Sequence, residues 1–266
     1  MALHVKTHNN DVLKRQIVLH LMLIPAVIIV AIYSYGPLFG VVIAFQKYIP
    51  AKGIIGSEWV GLENFVQMFT MRDSVQIIWN TFYISILKVI ANLLFPIILA
   101  LLLHEIPKQF FRRTVQTILY VPYFLSWVIL GGVIKSFLAP DGFVNRFLLG
   151  LLGIEPILFL GDKNIFVPTL IVTDLWQNAG FNTIVFLAAI TNVNPELYEA
   201  ATVDGANRWK LVWNVTIPGM LPIIILVATL SLGNIMNAGF DQIFNLYSPP
   251  VYETGDIIDT YAGWVY

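Results

Sequence analysis

The chain has 266 residues, of which 58% are hydrophobic and 12% charged, with 15 Lys and Arg against 16 Asp and Glu. An average soluble domain carries about 25% charged residues, so this composition, with a mean hydropathy of +0.76, excludes a water-soluble globule and, equally, a disordered chain. A net charge of −1 without a basic tract argues against nucleic-acid binding, and the absence of cysteine excludes disulfides, thiolate metal sites and cysteine catalysis.

What remains is an all-α polytopic membrane protein. Residues 1–16 form a polar tail, and residues 17–45 are apolar enough for a first transmembrane helix. This stretch exceeds a signal-peptide core and lacks a small-residue cleavage site before a polar mature chain. Pro25, Gly36 and Pro37 predict a kink or an end near Ser34–Pro37. A loop over 46–76 follows. Four further spans are expected at 77–103, 116–138, 165–190 and 218–238. They belong to a core over 77–266, with a long connecting loop at 191–217.

Lys and Arg set the orientation. With the N-terminus in the cytoplasm, the inside segments hold Lys6, Lys14, Arg15, Lys108, Arg112, Arg113, Arg208 and Lys210. The longer outside loops hold Lys47, Lys52, Arg72, Arg146 and Lys163. Trp59, Trp79, Trp127, Trp213 and Trp264 fall near span boundaries, where interfacial aromatics belong. Residues 239–266 carry acidic groups without Lys or Arg and read as an outside loop.

Catalytic signatures are missing. There is no G-x-x-x-x-G-K-[ST] phosphate loop, no H-E-x-x-H and no G-x-S-x-G elbow. His4 and His8 have i,i+4 spacing but sit in the polar tail, where incidental surface histidines are the simpler reading.

The loop at 191–217 is the informative one. Asn194-Pro195 is an N-cap followed by proline at the first helical position. Glu196 and Glu199 suit the positive end of the helix, and Gly205 permits a break with positive φ. A second short helix can run through Arg208–Val215 until Pro218 opens the next span. Ala200, Ala201 and Ala206 allow close approach, while Tyr198, Trp209 and Trp213 are aromatic anchors of the interface kind. Residue chemistry alone allows two readings, an amphipathic loop on lipid headgroups or a docking site for another protein.

Polar groups at membrane depth are costly and point to function. Asp174, Asn178 and Asn182 recur at i, i+4 and i+8 on one helix face, flanked by Trp176 and Gln177. Asn234 and Asn237 are i,i+3 in the fifth span, and Lys88 and Asn92 are i,i+4 in the second. Lys88 lies too deep to snorkel easily and needs a cavity or a partner, for which Asp174 is a candidate. Amides, a carboxylate and an aromatic face suit a sugar pathway; the same residue types also serve as interhelical hydrogen-bonding glue.

Glu199-Ala200-Ala201, then Asp204-Gly205-Ala206, then Val215-Thr216-Ile217-Pro218 thirteen residues beyond the glycine, resembles the EAA loop of ABC-importer permeases. Val215 and Ile217 stand where that pattern has Ile and Leu. Phe45-Gln46-Lys47-Tyr48, Gly61-Leu62-Glu63-Asn64-Phe65, Asn80-Thr81 and Pro122-Tyr123-Phe124 resemble the binding-protein-dependent sugar branch, in particular its oligosaccharide and polysaccharide (alginate-type) permeases. The resemblance implies a type I ABC importer permease fold in a bacterial inner membrane. It implies six spans with both termini inside. Asp256-Ile257-Ile258-Asp259-Thr260-Tyr261 looks like the segment before the last helix, so five spans are expected here and a sixth is expected to be missing at the C-terminus.

The resemblance also implies a non-enzymatic transport subunit. Its partners would be a second permease, giving a heterodimer, two ATPase subunits and an extracytoplasmic solute-binding protein. ATP with Mg would bind the ATPase, and no cofactor this chain. Glu199, Ala200, Ala201, Asp204, Gly205, Ala206 and Pro218 would form the ATPase-coupling site. Asp174, Trp176, Gln177, Asn178, Asn182, Asn234 and Asn237 would line the sugar pathway. The alternative is an ion-coupled secondary sugar transporter, which usually shows inverted repeats. No clear repeat is found. A membrane-embedded enzyme is a third possibility, for which the chain offers no dense acid–base or metal cluster.

Overall fold

The computed structural model describes residues 5–71, 74–233, 235 and 238–246, with backbone only at 5–15, 18, 149 and 163. The chain forms two compact units that divide after Ser74.

In the first unit, α1 (Val5–Val30) runs without interruption into a π-helical turn, Ala31–Tyr35, and a 3-10 segment, Gly36–Phe45. The expected break near Ser34–Pro37 is therefore a change of winding rather than an end. Pro37 lacks an N–H and crowds the preceding turn, and the turn before it widens so that the Gly36 N–H bonds to the Ala31 carbonyl. The stretch Leu19–Phe45 is long and apolar enough to cross a membrane.

A small hairpin and two short helices follow this stretch. β1 (Gln46–Lys47) pairs antiparallel with β2 (Glu58–Trp59), bracketing a short α2 (Gly53–Gly56). α3 (Glu63–Thr70) follows. Phe45 stacks on Trp59 at 5.7 Å and tilts against Phe65 at 5.3 Å. The Asn64 amide donates to the carbonyls of Ala44 (2.9 Å) and Gln46 (3.0 Å). Two separate loop motifs singled out in the sequence, Phe45–Tyr48 and Gly61–Phe65, thus pack on each other.

The second unit opens within α4 (Ser74–His104), 31 residues long, at its second residue. The third expected span, 116–138, is not one helix. It is α5 (Gln109–Tyr120), a 3-10 turn at Val121–Phe124 and α6 (Trp127–Leu138). Pro122 supplies no N–H to the helical ladder, and the chain becomes extended at Leu125 and Ser126 before α6 restarts. Then come α7 (Phe143–Leu152) and α8 (Lys163–Thr191), the latter capped by Asp162 accepting from the Asn164 N–H at 2.8 Å.

The loop helices α9 (Pro195–Val203) and α10 (Arg208–Leu211) lead through a π turn, Val212–Thr216, into α11 (Ile217–Leu232). The fifth span is thus shorter than 218–238. The stretch read as the start of an outside loop contains α12 (Phe240–Leu246), whose Gln242, Ile243 and Leu246 are buried. Leu246 and Ile243 join a core with Ile84, Leu130, Phe166 and Leu170, which is why this segment folds inward.

Ser74–His104, Trp127–Leu152 and Arg208–Leu232 are also long and apolar enough to cross a membrane. α8 has the length, at 29 residues, but its Asp174, Gln177, Asn178 and Asn182 lower its hydropathy. Its interior contacts explain how it tolerates them. One apolar core packs Ile84 of α4 with Phe166 and Leu170 of α8. A second packs Ala100 of α4 with Phe186 and Ile190 of α8 and Met220 of α11. The polar residues of α4 and α8 lie between these two layers. Gly180 of α8 sits flush against the Leu119 carbonyl, where a Cβ would collide. Small residues permit such close approach where lipid supplies no hydrophobic drive for association.

Candidate coupling loop and intramembrane polar cluster

The loop folds as its sequence demands. Asn194 Oδ1 accepts from the Glu196 N–H at 3.0 Å, and Pro195 occupies the first turn. At the other end of α9 the Ala206 N–H bonds to the Ala201 carbonyl (2.9 Å) and the Gly205 N–H to that of Thr202 (3.0 Å). This is a Schellman closure. It places Gly205 at φ +77°, with open space around a would-be Cβ. The glycine is therefore required by backbone conformation and not by crowding. Asn207 then caps α10, accepting from the Lys210 N–H at 2.9 Å.

Glu199, Ala200, Asp204 and Gly205 are exposed, as are Trp209 and Trp213. Ala201, Asp204, Ala206, Lys210 and Asn214 line a shallow depression. Pro218 lies in the first turn of α11. Tyr198 departs from expectation: it is not an outward anchor but half-buried, its hydroxyl 3.0 Å from that of Thr216. Arg208 reaches Glu105, beyond the end of α4, at 3.0 Å.

The second constellation joins α4, α8 and α12. Lys88 Nζ lies 3.5 Å from Asp174 Oδ1, donates to the Ala238 carbonyl at 2.7 Å and donates to Gln242 Oε1. An ammonium has three donors, and here all three are engaged. Asn92 donates to Asp174 Oδ2 at 2.6 Å, and Asn182 approaches Asn92 Oδ1 at 3.5 Å. Gln242 completes the set by donating to the Leu170 carbonyl (2.7 Å) and Thr173 Oγ1 (2.8 Å). Lys88 and Gln242 are buried. A buried charge demands this saturation, because an unmet partner carries the full desolvation penalty.

The expected polar stripe therefore divides. Asp174 is engaged with α4. Gln177 is buried and donates to the Leu125 carbonyl at 3.1 Å, meeting a group that the break in the third span releases. Among the described residues Asn178 bonds back to the Asp174 carbonyl of its own helix alone, at 3.0 Å, and it stays half-buried with Asn182. Trp176 is about half exposed. Asn234 and Asn237 lie outside the described residues, as do 247–266. Two participants escaped sequence reasoning. Gln242 sat in a stretch read as loop. Phe181, which stacks on Tyr123 at 3.9 Å and 4°, is seven residues from Asp174 and so shares its helix face. Among the described residues no group of three His, Asp or Glu side chains gathers as for a metal.

The family described as "Binding-protein-dependent transport system inner membrane component" matches residues 92–240. The chain is 39% identical to the polygalacturonan/rhamnogalacturonan transport system permease protein YteP of Bacillus subtilis (strain 168), over 92% of this chain and 76% of that protein. It is 38% identical to LplB of the same organism, over 94% and 79%. Among solved structures, a bacterial ABC transporter that imports the acidic polysaccharide alginate superposes with a TM-score of 0.81 at 38% identity, covering 96% of this chain and 85% of that one. Another is the bacterial alginate ABC transporter in complex with its alginate pentasaccharide-bound periplasmic protein, with a TM-score of 0.81 over 94% and 83%. The chain belongs to the binding-protein-dependent transport system inner membrane components and is a multi-pass permease subunit of an ABC importer.

Proposed function

We propose that this permease forms half of the pathway of an ATP-driven importer of oligosaccharides or polysaccharide fragments, with acidic ones the first class to test. The relatives at 38–39% identity whose names state a substrate handle alginate or polygalacturonan and rhamnogalacturonan; the lactose and arabinooligosaccharide permeases among the matches are more distant, at 26–29%. The partners would be a second permease, two ATPase subunits that carry ATP and Mg, and an extracytoplasmic solute-binding protein. The N-terminus lies in the cytoplasm in this reading, which the distribution of Lys and Arg supports.

The observation that carries the proposal is the doubly capped α9–α10 loop, rigid at both ends of α9 and exposed along Glu199, Ala200 and Asp204. A loop that transmits force needs that rigidity, since a floppy connection takes up displacement without passing it on. ATP-driven closure of the ATPases displaces α9, and the spans follow. Glu199 is the polar contact with the ATPase in this scheme, and Ala200, Ala201 and Ala206 let the ATPase surface approach. Asn178, Asn182 and Trp176 are the pathway residues that keep polar or aromatic surface beyond the internal network. An ion-coupled carrier is not favoured by the family match.

The test is reconstitution in proteoliposomes with a partner permease, ATPase and binding protein from the same organism. ATP-dependent uptake of a labelled acidic oligosaccharide, delivered by the binding protein, is expected. Uptake driven by an ion gradient without the ATPase would overturn the reading, and exclusive uptake of neutral sugars would overturn the substrate class.

A further inference from the structure

The coupling loop is fastened inward to the base of the span that follows it. Tyr198 of α9 meets Thr216, 3% exposed, at the end of the π turn Val212–Thr216. The Thr216 hydroxyl also donates to the Leu211 carbonyl at 3.3 Å. A threonine hydroxyl has one proton, so the proton between the two hydroxyls is that of Tyr198. The relay runs from Tyr198 to Thr216 to the Leu211 carbonyl.

That carbonyl stands where the helix changes winding. Pro218 has no N–H for the Asn214 carbonyl four residues back and crowds it. The turn accommodates this by widening, with the Ile217 N–H bonded to Val212. π turns inserted in α-helices are uncommon and concentrate at functional sites. Alongside, Val193 packs on Gly219 so tightly that a Cβ there would lie 2.7 Å from it. The start of the loop and the start of α11 are therefore tightly packed together, and among the described residues Tyr198 adds the polar link from α9 to this turn.

We propose that Tyr198 and Thr216 form a positioning latch that ties the coupling helix to the π turn beneath α11, so that displacement of α9 rewinds the foot of this span. The inference rests on the importer reading above. Neither residue touches substrate or nucleotide in it.

The experiment uses the assembled transporter with Tyr198→Phe, Thr216→Val, both together, and Thr216→Ser. Three quantities are read: ATPase subunit retained on the permease, ATP hydrolysed, and sugar delivered per ATP. ATPase retention is expected to be unchanged, while sugar per ATP falls about three- to tenfold in either single variant, the range one neutral hydrogen bond supports. The double variant is expected to be no worse than either single one, and Thr216→Ser to match the wild type. Unchanged coupling, losses that multiply in the double variant, or ATPase subunits that detach in both singles would each overturn the latch. ATP-driven uptake by the wild type is established first; its absence sinks the importer reading and the latch with it.

Discussion

Lys88 and Asp174 face each other at 3.5 Å in the middle of the second unit, the lysine on α4 and the carboxylate on α8. Lys88 is buried and Asp174 mostly so, and each is completed by neutral partners: Ala238 and Gln242 on one side, Asn92 on the other. Removing one partner from such a pair leaves an uncompensated charge, at a cost of about 3–5 kcal/mol, whereas replacing both with apolar groups is often neutral. Lys88→Met alone and Asp174→Leu alone are therefore expected to lower the melting temperature of the detergent-solubilised permease strongly, and the double substitution to restore much of it. A double variant whose loss equals the sum of the two single losses would show that the charges are not coupled.

Gly205 closes α9 with positive φ in open space. An L-residue there is strained by about 1–2 kcal/mol. Gly205→Val is expected to insert normally and to lose most sugar uptake, because the cap that fixes the loop is weakened, while Gly205→Asn keeps more of it. Uptake by the valine variant at the wild-type rate would reject the rigid-loop account.

Glu199 is exposed on α9, so it is not needed to hold the permease together. Glu199→Ala should leave the melting temperature of the permease alone unchanged and weaken its association with the ATPase subunit, read by co-purification at increasing salt. Full retention of the ATPase would remove Glu199 from the contact.

Asn178 offers a cleaner probe of the pathway than its neighbours, since among the described residues its side chain bonds within α8 alone. Asn178→Leu is expected to raise the sugar concentration for half-maximal uptake with the fold preserved. Asn92→Leu, which strips the hydrogen bond from Asp174, should instead reduce stability. An unchanged apparent affinity in Asn178→Leu would take that residue out of the pathway.

Gly180 lies against the Leu119 carbonyl. Gly180→Ala must push α5 and α8 apart, and overpacking of this kind costs about 1–3 kcal/mol. A thermal shift of several degrees is expected, and none at all would show that the two helices are free to separate.

The local signals were legible because they are written in contiguous residues. Asn194-Pro195 and Gly205 specify a cap, a start and a stop within one short helix, and the structure forms each of them. The Lys88–Asp174 pair was legible for a different reason: a lysine that deep has few acceptable environments, and the sequence contains one suitable carboxylate. The fate of the polar stripe could not be read in the same way. Whether Gln177 lines a pathway or ties down a carbonyl depends on where the third span breaks, and Pro122 marks that break without saying what will satisfy Leu125. Gln242 was hidden by the polarity around α12, which reads as a loop until the apolar core formed by α4, α6 and α8 is there to receive Ile243 and Leu246.

Lys88 also sets a condition on how the protein is made. Its acceptors Ala238 and Gln242 lie 150 and 154 residues further along the chain. At about 5–20 residues per second of synthesis, α4 waits roughly 8–30 seconds with its ammonium incompletely met. During that interval the helix has reason to stay beside the insertion machinery, or at the headgroup boundary, rather than settle into lipid. The full set of partners for Lys88 is thus complete only once α12 has been synthesised.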